Sequence, residues 1–169
     1  MKEMLNVENS NGVTTITATS NINLRKDQVW EFLRLPGKIQ DFHPLIKQSS
    51  MIGSEQYGIG ATRQCDLLPM GQMNERIIDW DEGSAFTTEV IGGKMLPPYK
   101  FMKGRVNLSE KGDTTDVSFS FSYQIKFGFL GQWMDFLFIR PQFKNAPVKY
   151  VMGLREYAEQ HVNDSKKAH

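Results

Sequence analysis

Between Val117 and Phe127 the chain alternates without exception. Val117, Phe119, Phe121, Tyr123, Ile125 and Phe127 are large and apolar, and Ser118, Ser120, Ser122, Gln124 and Lys126 between them are polar. A period of two puts every bulky side chain on one face of a β-strand and every polar one on the other, so this strand belongs to a sheet with one wet face and one buried face. A face this rich in aromatic rings needs a cover, and the sequence that follows supplies one. Leu130, Trp133, Met134, Leu137 and Phe138 have the spacing of a helix face, which Pro141 interrupts or restarts. Phe143, Tyr150, Val151, Leu154, Tyr157 and Ala158 then continue it as a long C-terminal helix. Pro147 either kinks that helix or stands in the first turn of one that begins near Asn145.

The remaining segments are read in the same way. Residues 13 to 22 are dense in β-branched types and place Ile16, Ala18 and Ile22 on one side, which predicts a strand. From Lys26 the period changes, and Val29, Trp30, Phe32 and Leu33 mark a short helix stopped by Pro36-Gly37. A second helical turn over residues 38 to 42 ends before Pro44. From Ile46 to Phe127, turn signals at Gly53, Gly58-Ile59-Gly60, Leu68 to Gly71, Asp81 to Gly83, Gly92-Gly93 and Glu110 to Asp113 separate an antiparallel meander of about six strands. The expected fold is α+β: a curved antiparallel sheet of about seven strands wrapped around a long C-terminal helix, with two short helices after the first strand. At 169 residues this is one domain, 1–169, with its core over about 13–160.

Composition narrows the function classes. Twenty Lys and Arg against nineteen Asp and Glu leave a net charge of +1, which provides no general field for a polyanion, so nucleic acid is not an expected partner. One cysteine, Cys65, excludes an intramolecular disulfide framework. The three histidines, His43, His161 and His169, are too far apart to suggest a metal pair, and no metal is expected. Gly58-Ile59-Gly60 lacks the third glycine and the following helix of a dinucleotide loop, no nucleophile elbow occurs, and no cofactor is expected. The N-terminus lacks a signal-peptide core, and the cluster Phe136 to Ile139 is far below membrane-span length. The expectation is a cytoplasmic protein without stable membrane insertion.

Several strings, in order, resemble the START-like helix-grip (SRPBCC) superfamily, in particular its polyketide cyclase/dehydrase and lipid-transport group. They are Val29-Trp30-Glu31-Phe32-Leu33 with Phe42-His43-Pro44, Gly60-Ala61-Thr62-Arg63, Asn74-Glu75-Arg76 with Asp79-Trp80-Asp81, Phe129-Leu130-Gly131 through Asp135 to Arg140-Pro141, and Gly153 to Glu159. The resemblance implies an apolar-ligand pocket between sheet and helix and leaves the chemistry open. A further similarity, to the plant abscisic-acid receptors, places Leu68-Pro69-Met70-Gly71 and Met95-Leu96-Pro97 at the two loops that close the pocket, and Glu75 and Tyr99 at lining positions. Lys94-Met95-Leu96 stands where those receptors have His-Arg-Leu, so hormone binding is not implied.

With that geometry the expected lining is Thr88, Val90, Tyr99, Phe101, Phe119, Phe121 and Tyr123 from the strands, and Trp133, Phe136, Phe143, Tyr150 and Leu154 from the helices. Ordinary packed core is the competing reading for each. Glu75 shares a face with Met73 and Ile77. Turned inward, it would anchor a ligand or act as a general acid/base, with a half-exposed ion pair as the alternative. Arg63 shares its face with Ala61, Cys65 and Leu67 and would bind a ligand carboxylate or pair with an internal acid. His43, before Pro44, reads as a capping or packing residue. Apolar side chains on the two Gly- and Pro-bearing loops suit either an entrance that closes over the ligand or a contact with a second copy of the chain. Three functions remain open: a binder of a lipid, polyketide or isoprenoid-like hydrophobic molecule; a cyclase, aromatase or dehydratase using Glu75 or a pocket Tyr; and an interaction module with a solid core.

Overall fold

The computed structural model describes residues 4–167, and side chains as far as residue 164; His169 lies outside the described residues. One antiparallel sheet contains β1 (Met4–Ser10), β2 (Val13–Ile22), β3 (Ile46–Ile52), β4 (Thr62–Leu67), β5 (Gln72–Asp81), β6 (Ala85–Lys94), β7 (Tyr99–Lys111) and β8 (Thr114–Ile125). Their spatial order is β1-β2-β8-β7-β6-β5-β4-β3, so the meander β3 to β8 is closed by a return of the chain's first hairpin onto β8. Helix α1 (Lys26–Leu33) and a 3-10 turn (Pro36–Asp41) connect β2 to β3. The C-terminal cover has two parts. The first is a broken segment of α2 (Gly128–Met134), a π turn (Asp135–Ile139) and α3 (Arg140–Phe143); the second is α4 (Ala146–Lys167).

The helix-grip architecture stands as expected, with eight strands where the sequence suggested about seven. The additional strand, β1, is exposed along its whole length and pairs only with β2. It therefore carries no alternation of burial for a sequence pattern to record. β8 ends at Ile125: Phe127 has a left-handed backbone (φ 73°) and is exposed, so the alternation of types outlasts the strand by two residues, Lys126 and Phe127. Of the two readings of Pro147, the first-turn one holds, since α4 starts at Ala146.

The inner face of β8 is the middle of the core. Its Val117 end, with Phe119, packs in one cluster with Ala18 and Ile22 of β2, Val29, Trp30 and Leu33 of α1, and Tyr150, Val151, Leu154 and Ala158 of α4. Its other end, with Phe121, Tyr123 and Ile125, packs in a second cluster with Ile16, Val90, Met102, Ile139 and Phe143. The second cluster lies under the broken segment, whose buried residues are Gly131, Asp135 and Ile139, four apart along the chain. A methyl group on Gly131 would collide with the Lys126 carbonyl, so only glycine lets α2 rest this closely on the end of β8.

Asp135 is the fixed point of that segment. It is 4% exposed. Its Oδ1 accepts from the Tyr123 hydroxyl at 2.5 Å, and its Oδ2 accepts from Thr14 Oγ1 at 2.8 Å and Arg140 Nη2 at 2.6 Å. Burial, and then the hydrogen bond to Asp135, hold the Tyr123 hydroxyl well above the usual phenol range. The π turn brings Arg140 back over Asp135, with the Arg140 amide closing onto the Asp135 carbonyl five residues earlier. Tyr123→Phe leaves this buried carboxylate short of one donor. Stability in a urea titration should fall by about 1–3 kcal/mol, whereas an unchanged midpoint would show that the network does not hold the segment.

Candidate functional site

Strand register carries the candidate residues across the inner face of the sheet in two adjacent rows. Arg63 lies opposite Glu75, Glu75 opposite Val90, and Ile77 opposite Thr88. Thr88 lies opposite Gly104, Gly104 opposite Phe121, and Phe121 opposite Ile16. Arg63, Glu75, Thr88 and Val90 are all buried, as their inward assignment requires. Arg63 and Glu75 form an ion pair on one carboxylate oxygen: Arg63 Nε donates to Glu75 Oε2 at 2.8 Å, and Nη2 lies 2.8 Å from the same atom. Arg63 Nη1 donates to the Pro36 carbonyl at 2.7 Å. Glu75 Oε1 is left with a single long donor, the Thr88 hydroxyl at 3.3 Å. Oε1 is thus the side of this buried carboxylate that retains acceptor capacity.

The groups around the pair are held neutral. Burial pushes the Cys65 thiol up to about 11, with Arg63 opposing and Glu75 reinforcing the shift. Burial likewise raises the Tyr150 hydroxyl, which Arg63 opposes and Glu75 reinforces. Burial alone would lower the Arg63 guanidinium, but Glu75, with smaller contributions from Cys65 and Tyr150, leaves it raised. His43 is pushed down to about 4, by burial first and then by the charges of Arg63 and Lys149. Its ring packs edge-on against Tyr150, and Nδ1 accepts from the Leu45 amide at 3.3 Å, in keeping with a packing role. At neutral pH the cluster therefore presents one ion pair and hydrogen-bonding groups, but no thiolate or imidazolium. Among the described residues no group of three or more His, Cys, Asp or Glu could hold a metal ion.

Aromatic side chains occupy the space between β8 and the helices. Phe119 stacks on Tyr150 with ring centres 4.3 Å apart, and Phe143 meets both Phe121 and Tyr123 edge-on at 5.4 Å. Gly104 makes room for Phe119, whose ring a Cβ at that position would meet at 2.9 Å. Leu154 is fully buried on α4 within the first cluster, and Tyr99 is half-buried beside the second. Phe119, Phe121, Tyr99 and Phe143 retain partial solvent access, although their neighbours Val117, Tyr123, Val106 and Ile16 have almost none.

Three expected lining residues lie elsewhere. A register shift between Tyr99 and Phe101 changes the parity of β7, so Phe101 points to the outer face, near Lys103, and Met102 takes the inward place. Trp133 and Phe136 are 52% and 62% exposed, because Gly131, Asp135 and Ile139 form the inward side of their segment. Tyr123 does face inward, but its hydroxyl is committed to Asp135. Sequence pattern alone does not join Thr14, Asp135 and Arg140 as a unit. The sequence signal for this network is an acid set four residues from both Gly131 and Ile139, inside the otherwise apolar run 133–139. Leu68, Pro69, Met70 and Met95 are exposed on their loops, while Gly71, Leu96 and Pro97 are half-buried. Two surface depressions, of about 200 and 600 Å³, lie between α1 and α4 and beside the β3–β4 connection. Neither is lined by Glu75 or Arg63.

His43 makes this site pH-sensitive through stability. Its folded pKa of about 4 lies below the ordinary 6.5, so between these values the unfolded chain binds the additional proton. The stabilisation is fully present above pH 6.5 and is lost as the pH falls towards 4, by about 3 kcal/mol in all. Urea midpoints recorded across that window should fall less in His43→Asn than in the parent; equal slopes would contradict the burial of a neutral imidazole.

Residues 13–159 match the family model described as polyketide cyclase / dehydrase and lipid transport. No curated protein matches the chain. Among solved structures it is similar to the Zhui aromatase/cyclase from Streptomyces sp. R1128 (TM-score 0.72, 12% identity, covering 89% of this chain and 96% of that one). It is also similar to norcoclaurine synthase from Thalictrum flavum (0.69, 16%, 90% and 96%) and to major latex-like protein 151 from Panax ginseng (0.65, 16%, 89% and 97%). At these identities the likeness is one of fold, and it extends over nearly the full length of each partner. With the family model matched over most of its length and the helix-grip fold in place, the chain belongs to the polyketide cyclase/dehydrase and lipid-transport family of the SRPBCC superfamily.

Proposed function

We propose that this protein binds a hydrophobic small molecule of lipid, polyketide or isoprenoid type between the inner face of the sheet and its helical cover, and that binding rather than catalysis is its primary task. Family membership supports a ligand-binding or cyclase-type role. The observation that carries the finer reading is the partial solvent access of Phe119 and Phe121 on the inner face of β8, and of Phe143 on the cover above them, where Val117 and Tyr123 of the same face have almost none. Water reaches aromatic surface there that an apolar ligand would dehydrate, and desolvating such surface is worth about 25 cal/mol per Å². The row from Phe121 through Gly104 reaches Thr88, whose hydroxyl donates to Glu75 in the adjacent row. An apolar body over Phe119 and Phe121 would therefore set a hydroxyl or amide at its end against Oε1.

Proton-transfer chemistry has less support at this site. A thiol near 11, a raised phenol and a carboxylate whose Oε2 is already ion-paired with Arg63 are groups suited to holding a ligand. Leu68, Met70 and Met95 stand at the end of the sheet where β4 joins β5 and β6 joins β7, the position of an entrance.

Titration with cis-parinaric acid, a fatty-acid-sized fluorophore, should saturate at one site per chain, and native mass spectrometry of the purified protein should detect any ligand carried through purification. Phe121→Trp enlarges the partly exposed ring without adding charge, so it should weaken binding about tenfold or more while melting temperature stays within a few degrees. Glu75→Gln strands the buried Arg63 and should cost about 3–5 kcal/mol of stability. Parinarate binding by Phe121→Trp equal to that of the parent would place the site elsewhere.

A further inference from the structure

The segment from Lys126 to Lys144 is amphipathic in the inverted sense. Its inward side is Gly131, Asp135 and Ile139, and its outward side is aromatic and aliphatic. Phe129 is 74% exposed and Phe138 64%, and Leu130, Trp133, Phe136 and Leu137 are each at least half exposed. The inversion is built in, because Asp135 is tied to Tyr123, Thr14 and Arg140 and fixes which side faces the sheet. The same end of the sheet adds Met70 from the β4–β5 connection and Met95 from the β6–β7 connection, 62% and 72% exposed. These pieces are joined to one another. Gln72 pairs with Lys94, and the Lys126 amide donates to the Pro98 carbonyl at 2.8 Å, so the exposed Phe127 follows directly on from the second connection. Isolated exposed apolar residues need no explanation, but a connected group of this size marks an interaction surface.

Charge identifies the partner. Lys94, Lys100, Lys126 and Lys144 border the apolar group and are exposed. Across residues 92–100 and 126–144 the single acid is Asp135, buried and paired with Arg140. A second copy docking here face to face would oppose two like-charged rims. An anionic bilayer complements the lysines and accepts the aromatic and aliphatic side chains at its interface, where Trp and Phe are favoured. No helix of the described residues is long and apolar enough to cross a membrane, so insertion would be confined to the side chains of this face.

We propose that the outward face of residues 127–138, with the Met70 and Met95 connections, is a docking surface for an anionic lipid membrane. This does not depend on the interior binding a ligand. Flotation with phosphatidylcholine–phosphatidylglycerol vesicles should carry the intact protein at low salt, and pure phosphatidylcholine vesicles should carry much less. Trp133 emission should shift to the blue on binding. Phe129→Ser with Phe136→Ser, and separately Lys94→Glu with Lys126→Glu, should each reduce the bound fraction about tenfold or more with melting temperature unchanged, since all four side chains are exposed. The proposal is overturned if the parent protein fails to float, if both vesicle types bind it equally, or if the Phe129/Phe136 variant converts a dimer to a monomer without altering flotation.

Discussion

The inner face of β8 has to be covered along its whole length, and most of the molecule is arranged around that requirement. Twelve residues of strand extend about 40 Å, and two different structures share the task. α4 and α1 close the Val117 and Phe119 end, whereas the broken segment 128–143 closes the Phe121 to Ile125 end. Each is fixed to the strand by its own contact. α4 sets Tyr150 flat on Phe119, and the broken segment sets Asp135 on Tyr123. Between the two covers the strand passes from complete burial to partial access, and that change occurs at Phe119 and Phe121.

This division explains where polar groups are tolerated. A buried carboxylate is costly unless its acceptor sites are filled, and the two buried acids solve the problem differently. Asp135 is filled on both oxygens by Tyr123, Thr14 and Arg140, so it acts as a fastening. Glu75 is filled on Oε2 by Arg63 but has only a long Thr88 contact on Oε1, so it keeps an acceptor facing the interior. The same difference separates the two tyrosines. Tyr123 is committed to structure, while Tyr150 stacks on Phe119 close enough to Arg63 and Glu75 to feel both charges.

The parts of the fold legible in the sequence are those in which burial follows a period. β2, α1, β8 and the stripe of α4 all have buried faces at regular spacing, and the inward register of Arg63, Glu75 and Thr88 follows from the same rule. Where burial and pattern separate, the sequence is misleading. β1 is exposed on every residue, so it has no pattern to read. Phe101 sits just past a register shift, which moves a plausible inward residue to the outer face. Trp133 and Phe136 read as interior residues because large apolar residues on a helix are usually its buried side. Here the buried side is Gly131, Asp135 and Ile139, and only the tertiary bonds of Asp135 show that the helix is turned the other way.

The central claim is that apolar ligands enter the interior beside Phe121 rather than adhering to the exposed end of the molecule. Methionine methyl groups report on both places: Met102 is buried on the inner face and Met73 half-buried beside it, while Met70 and Met95 lie on the exposed connections. Methyl NMR of the methionine-labelled protein during titration with lauric acid separates the two. Occupation of the interior predicts saturable shifts at Met73 and Met102, with Met4 on the distant edge strand unmoved; shifts confined to Met70 and Met95 would contradict it.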